Sequence, residues 1–283
     1  MSTARSVVGP GRVCQSGLPG PPPAPTTTGV TYRSLYLYEV IDIVGQGQYE
    51  YMEHLWKDPV LAMPDMNNLV GSFYICGQGG GRWPQVINLW DMGERGWTSW
   101  AVNVDRLNLK RRKAFYGDWW DKAAEWRTGG YDRVCAAAPG SPTTADLVAR
   151  PLKGTLFVNE ILTVRPGAQL EFLAAVAERR VPLLGEYGHR PVGLYEVTNN
   201  LREVVMVWAT DIASHARLHQ NRDTALGLCD EGEPDERLPA WDRTAADYVT
   251  GGDTHIMTPL PRTIVGPDDW EDASLEDWLG RPG

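Results

Sequence analysis

The chain alternates between short apolar runs of period two and longer stretches whose apolar positions recur every three or four residues. Leu35–Val44 is rich in β-branched and aromatic residues, which predicts a strand. Tyr49–Met63 carries apolar side chains at Tyr49, Met52, Leu55, Trp56 and Leu61, a helical period that Pro64 ends. Asn68–Cys76 and Gln85–Met92 read as strands joined by the hairpin loop Gly77–Pro84. Helical segments are predicted over Trp97–Asn108 and Lys113–Arg127, and Asp132–Ala138 as a strand. The second half gives strands over Gly154–Val164, Pro191–Thr198, Glu203–Ala209 and Thr254–Val265. Its helices are Ala168–Leu184, Ile212–Asn221 and Arg243–Val249.

The two halves read as an internal duplication. Leu35–Ile43 matches Leu156–Val164 position by position, keeping Glu39 opposite Glu160. Gln48–Tyr51 matches Gln169–Phe172, Val70–Ile75 matches Val192–Val197, and Val86–Trp90 matches Val204–Trp208. Four blocks in one order at nearly one spacing are not expected of unrelated apolar strands. Each half is a βαββαβ unit, the ferredoxin-like arrangement of one antiparallel sheet with both helices on one face. The bare sheet faces must then pack on each other, so the predicted fold is α+β: two tandem ferredoxin-like units closed as an α+β barrel. The expected organisation is a disordered Pro/Gly/Thr-rich segment at 1–29, repeats at 30–140 and 154–265, a linker at 141–153 and an acidic tail at 266–283.

The order of elements, the strand ending Asn88-Leu89-Trp90-Asp91, the helix after it and the closing Met257-Thr258-Pro259-Leu260-Pro261 resemble the NIPSNAP family of the dimeric α+β-barrel superfamily. The resemblance covers about residues 33–265 as two copies. The family's Tyr-Glu-Leu-Arg opening is partly kept as Tyr36-Leu37-Tyr38-Glu39, with glutamate in place of arginine. No catalytic set carries over. The superfamily holds cofactor-free monooxygenases, cyclases, isomerases and haem-dependent enzymes, so the resemblance implies a fold and leaves the reaction open.

Composition narrows the partners. The chain has 283 residues, a net charge of −9 and twelve tryptophans. From Asp230 onward there are 14 acidic and 4 basic residues, so the first 229 residues are close to neutral. That balance argues against a nucleic-acid partner. The longest strongly apolar runs are strand-sized, so no membrane span is expected. Residues 1–12 carry two arginines with no apolar segment after them, so no secretory leader is expected. Cys14, Cys76, Cys135 and Cys229 are widely spaced and form no CxxC, consistent with reduced thiols in a cytoplasm. The acidic tail reads as a solvated segment or as one whose Trp270 and Trp278 dock on a partner subunit. A homodimer and a self-contained monomer both remain open.

The duplication also separates shared positions from specialised ones. Ser72 stands opposite Leu194, Asn88 opposite Met206, Tyr38 opposite Asn159, Tyr74 opposite Glu196, and Glu53-His54 opposite Ala174-Ala175. The polar equipment gathers in the first half. Strand alternation groups Ser72 with Tyr74 and Asn88 with Trp90, and the uniformly apolar faces are expected under the helices. Ser72, Tyr74, Asn88 and Trp90 would then line the barrel interior. Which of Tyr36/Tyr38 and Leu37/Glu39 points inward is open. Tyr38, Ser72, Trp90 and Trp208 are the expected substrate-binding residues; His54, Tyr74, Asn88 and Glu39 are the expected catalytic ones. Imidazole titrates near neutral pH, and a buried Glu39 or Glu160 could serve as a base.

Asp211, His215 and His219 share one helix face and could hold a metal, but there is no HExxH and the metal expectation is none. Haem is the alternative cofactor, with His54, His189, His215 and His255 eligible as ligands. Neither Gly45-Gln46-Gly47 nor Gly77–Gly81 has phosphate-loop spacing, and no GxSxG occurs. The expected function is a cofactor-free cyclase, dehydratase or isomerase acting on a hydrophobic, aromatic or polycyclic small molecule. The rivals are a haem-dependent lyase or oxygenase and a non-catalytic ligand-binding protein.

Overall fold

Residues 31–57, 68–107 and 117–270 are described by a computed structural model. The expected coil at 1–29, Cys14, Pro64, Lys113 and Trp278 lie outside the described residues. The alternating run that predicts the first strand forms β1, Leu35–Ile43. It is followed by α1 (Gln48–Lys57), β2 (Asn68–Ile75), β3 (Gln85–Asp91), α2 (Trp97–Leu107), a short helix α3 over 117–123, and β4 (Arg127–Ala137). Where a linker is expected, the chain builds α4, Thr144–Ala149, started by a reciprocal Thr143–Asp146 capping box. The second half repeats the order. It comprises β5 (Leu156–Val164), α5 (Gln169–Ala175), a π turn (Val176–Arg180), α6 (Val181–Glu186), β6 (Arg190–Val197), β7 (Glu203–Thr210), α7 (Ile212–Ala225), α8 (Arg237–Ala246) and β8 (Val249–Pro259).

Two four-stranded antiparallel sheets, β4-β1-β3-β2 and β8-β5-β7-β6, meet edge to edge and close into one barrel. The seams are short: Phe73, Tyr74 and Ile75 pair with Pro259, Thr258 and Met257, and Cys135, Ala136 and Ala137 pair with Val197, Glu196 and Tyr195. Closure removes the unpaired edges that two open sheets would expose. The closing strand begins earlier than expected, at Val249. It ends at Pro259, because Pro261 has no N–H to extend the ladder.

The lumen is packed. Tyr36, Tyr38, Phe73, Ile87, Leu89, Phe157, Tyr195, Val205 and Val207 belong to a single buried cluster drawn from both halves. Two ring pairs face each other, Tyr36 with Tyr195 at 4.9 Å and Phe157 with Phe73 at 4.8 Å between centroids. Each sheet makes room for its ring in the same way. A Cβ on Gly71 would lie 2.3 Å from the Phe73 ring, and one on Gly193 would lie 2.0 Å from the Tyr195 ring.

This sidedness corrects the expectation. The aliphatic faces fill the lumen, while Ser72, Tyr74, Asn88 and Trp90 lie beneath the helices, Trp90 and Tyr74 packing with Tyr51, Met52 and Leu55 of α1. The physical reason is hydrogen bonding. A lumen closed on every side offers a polar group few partners, whereas a helix layer brings tyrosines and charged side chains to meet it. In β1 it is Tyr36 and Tyr38 that point inward, and Leu37 and Glu39 that face the helices.

Candidate active site beneath the first-half helices

Strand register assembles the polar residues. Ser72 pairs with Asn88, Asn88 with Glu39, and Glu39 with Asp132, so one rung crosses β2, β3, β1 and β4. Residues opposite one another on neighbouring strands share a face. The matching rung in the second half is Leu194–Met206–Glu160–Thr254. Only the glutamate is common to both.

Hydrogen bonds fix the order along the rung. Ser72 Oγ donates to Asn88 Oδ1 at 2.7 Å. That leaves the Asn88 amide N–H groups for Glu39 Oε2 and the Tyr51 hydroxyl, each at 3.3 Å. The Trp90 indole also donates to Glu39 Oε2, at 2.7 Å. Both donors converge on a single carboxylate oxygen.

Burial, together with the Asp132 charge, pushes the Glu39 carboxyl up to about 6, against the pull of Trp90, Asn88 and Arg127. Asp132 is also raised by burial. Tyr51 is held well above its ordinary value by burial and by the Glu39 charge, so it stays protonated. Around this centre stand Trp90, Trp119, Trp120 and Trp126, with Arg127 centred 3.6 Å over the Trp120 ring. A carboxylate that titrates near neutrality inside an aromatic wall can accept a proton from a bound carbon or oxygen acid.

The remaining expected residues fall in four places. Tyr74 accepts a hydrogen bond from the Tyr49 hydroxyl at 3.0 Å at the rim of this layer, beside Trp270. His54 packs between α1 and α3, stacked on Trp119 at 5.2 Å and tilted against Trp126 at 5.2 Å, its Nε2 buried without a partner. Tyr38 is in the lumen, where its hydroxyl accepts from Asn159 Nδ2 at 2.9 Å. The structure therefore brings Ser72, Asn88, Trp90 and Glu39 together, with Tyr74 close by, and separates Tyr38 from them.

Trp208 occupies the counterpart layer of the second half and donates to Glu160 Oε2 at 2.8 Å. Glu160 differs from Glu39 in having a cation closed on it. The π turn aims Arg180 at it, and both guanidinium Nη atoms donate to its two oxygens at 2.7 Å. Asp211 caps α7 through the Ser214 N–H, while His215 meets His189 and packs edge-on against His219. Among the described residues no group of three His, Cys, Asp or Glu is placed to hold a metal ion. Cys76, Cys135 and Cys229 are free thiols.

Sequence reasoning missed Tyr51, Asp132 and Arg127. A signal for the first two was present: Tyr51 carries a hydroxyl where its counterpart Phe172 has none, and Asp132 carries a charge where Thr254 has none.

No protein-family model matches the sequence, and no curated protein matches it. Solved structures do. A candidate monooxygenase of Fusobacterium nucleatum subsp. nucleatum superposes with a TM-score of 0.52 at 11% identity, over 86% of this chain and 100% of its own. A second candidate monooxygenase, from Lactobacillus acidophilus, gives 0.52 at 10% identity over 80% and 94%. An anthrone oxidase-like protein gives 0.53 at 12% identity over 86% and 97%. The closed α+β barrel of this chain is a fold it shares with these structures. At such identities the likeness concerns the fold alone, and the chemistry must be read from the site. No helix among the described residues is long and apolar enough to cross a membrane.

Proposed function

We propose that this chain is a tandem, NIPSNAP-like, cofactor-free enzyme that moves a proton on a hydrophobic aromatic small molecule beneath the first-half helices. The observation that carries this reading is the polar rung Ser72–Asn88–Glu39–Asp132 set against the apolar Leu194–Met206 portion of its counterpart. Glu39 is the base. Its ionised form takes a proton from a carbon next to a carbonyl, and the bonding pair moves into the carbonyl to leave an enolate. The Tyr51 hydroxyl accepts from Asn88 and keeps its own proton to donate to the enolate oxygen. Returning the Glu39 proton to a different carbon completes an isomerisation, with no oxidant or reductant consumed. Ser72 holds the Asn88 amide in the orientation that serves Glu39. Trp90 orients the carboxylate and supplies wall together with Trp119 and Trp120.

Haem, the alternative cofactor, fits the described residues poorly. His54 has an indole against its face and another at an angle, which leaves no slab for a porphyrin. His189 and His215 are hydrogen-bonded to each other. His255 points into the packed barrel, close against Gly81.

The test uses anthrone, a tricyclic carbon acid, and follows exchange of its methylene protons for solvent deuterium by NMR. The wild-type protein is expected to accelerate exchange over buffer, and Asn88→Met and Glu39→Gln to lower it at least tenfold while remaining folded. Exchange no faster than buffer overturns the catalytic reading. If anthrone still quenches the tryptophan fluorescence, the ligand-binding alternative replaces it.

A further inference from the structure

Asp132 is the exposed end of the polar rung. It pairs directly across the sheet with Glu39, which is half-buried. It also lines a groove of about 580 Å³ together with Tyr131, Arg133, Asn199, Arg202 and Glu203. The groove exists because β4 pairs with β6 only from Cys135 onward, so the earlier part of β4 stands apart from the β6–β7 turn. Within the groove, the Arg133 guanidinium is spoken for by Glu203 through two N–H donors. Asp132 is thus a carboxylate with one side toward a buried acid–base group and the other toward open solvent.

We propose that Asp132 is a positioning residue that relays protons between Glu39 and the groove. This rests on Glu39 being the base of the site. While Glu39 holds the proton taken from substrate, that proton exchanges through the Asp132 carboxylate with solvent or a buffer acid in the groove. The proton that Glu39 then returns to the enolate carbon comes from solvent, and Glu39 is left ionised for the next turnover. No other bond is made or broken. The groups facing the pair are Asn88 and Trp90 of β3, Tyr51 of α1 and Arg127 of β4. The Asp132 charge opposes ionisation of Glu39 and Arg127 favours it, so the two set the carboxyl between them. Thr254, the counterpart of Asp132, has no charge, and Glu160 beside it is closed by Arg180 instead.

The experiment titrates the Glu39 side chain by 13C NMR in the full chain, comparing wild type, Asp132→Asn and Asp132→Glu. It also measures anthrone exchange at several buffer concentrations. The Glu39 midpoint is expected to fall by about one unit in Asp132→Asn, as loss of a neighbouring like charge should produce, and to be held in Asp132→Glu. Exchange by Asp132→Asn is expected to become dependent on small buffer bases such as formate, which wild type does not require. A Glu39 midpoint unmoved in Asp132→Asn, or exchange independent of formate, overturns the relay. The midpoint is read without any substrate. Failure of Glu39 as a base would show instead as full activity in Glu39→Gln, so the two failures are distinguishable.

Discussion

The Trp90 indole donates to Glu39 Oε2 over 2.7 Å, the same bond at nearly the same length that Trp208 makes to Glu160. What differs is the charge balance around each carboxylate. Glu160 has a bidentate arginine, whereas Glu39 has Asp132 beside it and is raised from 4.5 to about 6. A carboxyl raised in the folded state binds its proton more tightly there than in the unfolded chain. Its contribution to stability is therefore full below pH 4.5 and is lost as pH rises through 6. A shift of this size is worth about 2 kcal/mol. Glu39→Gln keeps an acceptor for Trp90 and Asn88, because both donate to one oxygen. It should match wild type in urea unfolding at pH 4 and exceed it by about 2 kcal/mol at pH 8. An equal gap at both pH values would count against a raised Glu39.

The Glu160–Arg180 pair predicts the opposite response. Both partners are largely buried, with side-chain exposures of 8% and 16%. Arg180→Met strands a buried carboxylate that keeps the Trp208 N–H but loses both guanidinium bonds, a change expected to cost about 3–5 kcal/mol. Adding Glu160→Gln, which keeps the acceptor for Trp208, should recover most of that. Denaturant unfolding of the two variants decides the matter; a mild effect of Arg180→Met would mean that the pair is solvated.

The fold was legible in the sequence because strand pattern and spacing are carried by the residues themselves. Leu35–Ile43 and Leu156–Val164 form β1 and β5 over those bounds, and the bare sheet faces close on each other. The facing of the strands was not legible. Period two distinguishes Asn88 and Trp90 from Ile87 and Leu89, but it does not say which set meets the helices. That depends on where hydrogen-bond partners exist, and Tyr51, 37 residues away from Asn88, supplies one. The expected helix over Lys113–Arg127 was cut short for a related reason. The described helix covers 117–123, and β1 captures Arg127 onward as a strand, Ile43 pairing with Arg127 itself. Gly129 and Gly130 within that run weaken a helix in any case.

The lumen yields a third prediction. Tyr38 and Asn159 occupy matching positions of β1 and β5 and bond to each other inside the barrel, where Asn159 Oδ1 has no partner. Tyr38→Phe leaves the amide donors of Asn159 without that hydroxyl, and should cost about 1–3 kcal/mol. The double variant Tyr38→Phe/Asn159→Leu places apolar groups on both sides and should be more stable than Tyr38→Phe. A double-mutant cycle by thermal or urea unfolding measures the coupling. Additive losses would show that the bond contributes nothing.

The histidine pair sets the acid limit of stability. His189 Nδ1 lies 3.1 Å from the Tyr187 carbonyl, which can only accept, so that nitrogen carries the proton and Nε2 is bare. The His215 Nδ1, 3.1 Å from that Nε2, must then be the donor. Burial lowers both residues. His215 falls to about 4, with His219 and His189 adding to the effect and Glu160 opposing it; Arg180 also lowers His189 while Glu160 raises it. A histidine depressed in the folded state resists a proton that the unfolded chain accepts. Its contribution is whole above pH 6.5 and is lost as pH falls toward 4. This runs opposite to Glu39 over an overlapping range, so between about pH 4.5 and 6 the two contributions partly offset each other. His215→Gln removes one of the depressed groups. It should flatten the fall in unfolding temperature between pH 6.5 and 4 and leave the unfolding temperature above pH 7 without a change in slope. A pH 6.5 to 4 profile that is the same in wild type and His215→Gln would show that His215 takes up a proton as freely in the fold as outside it.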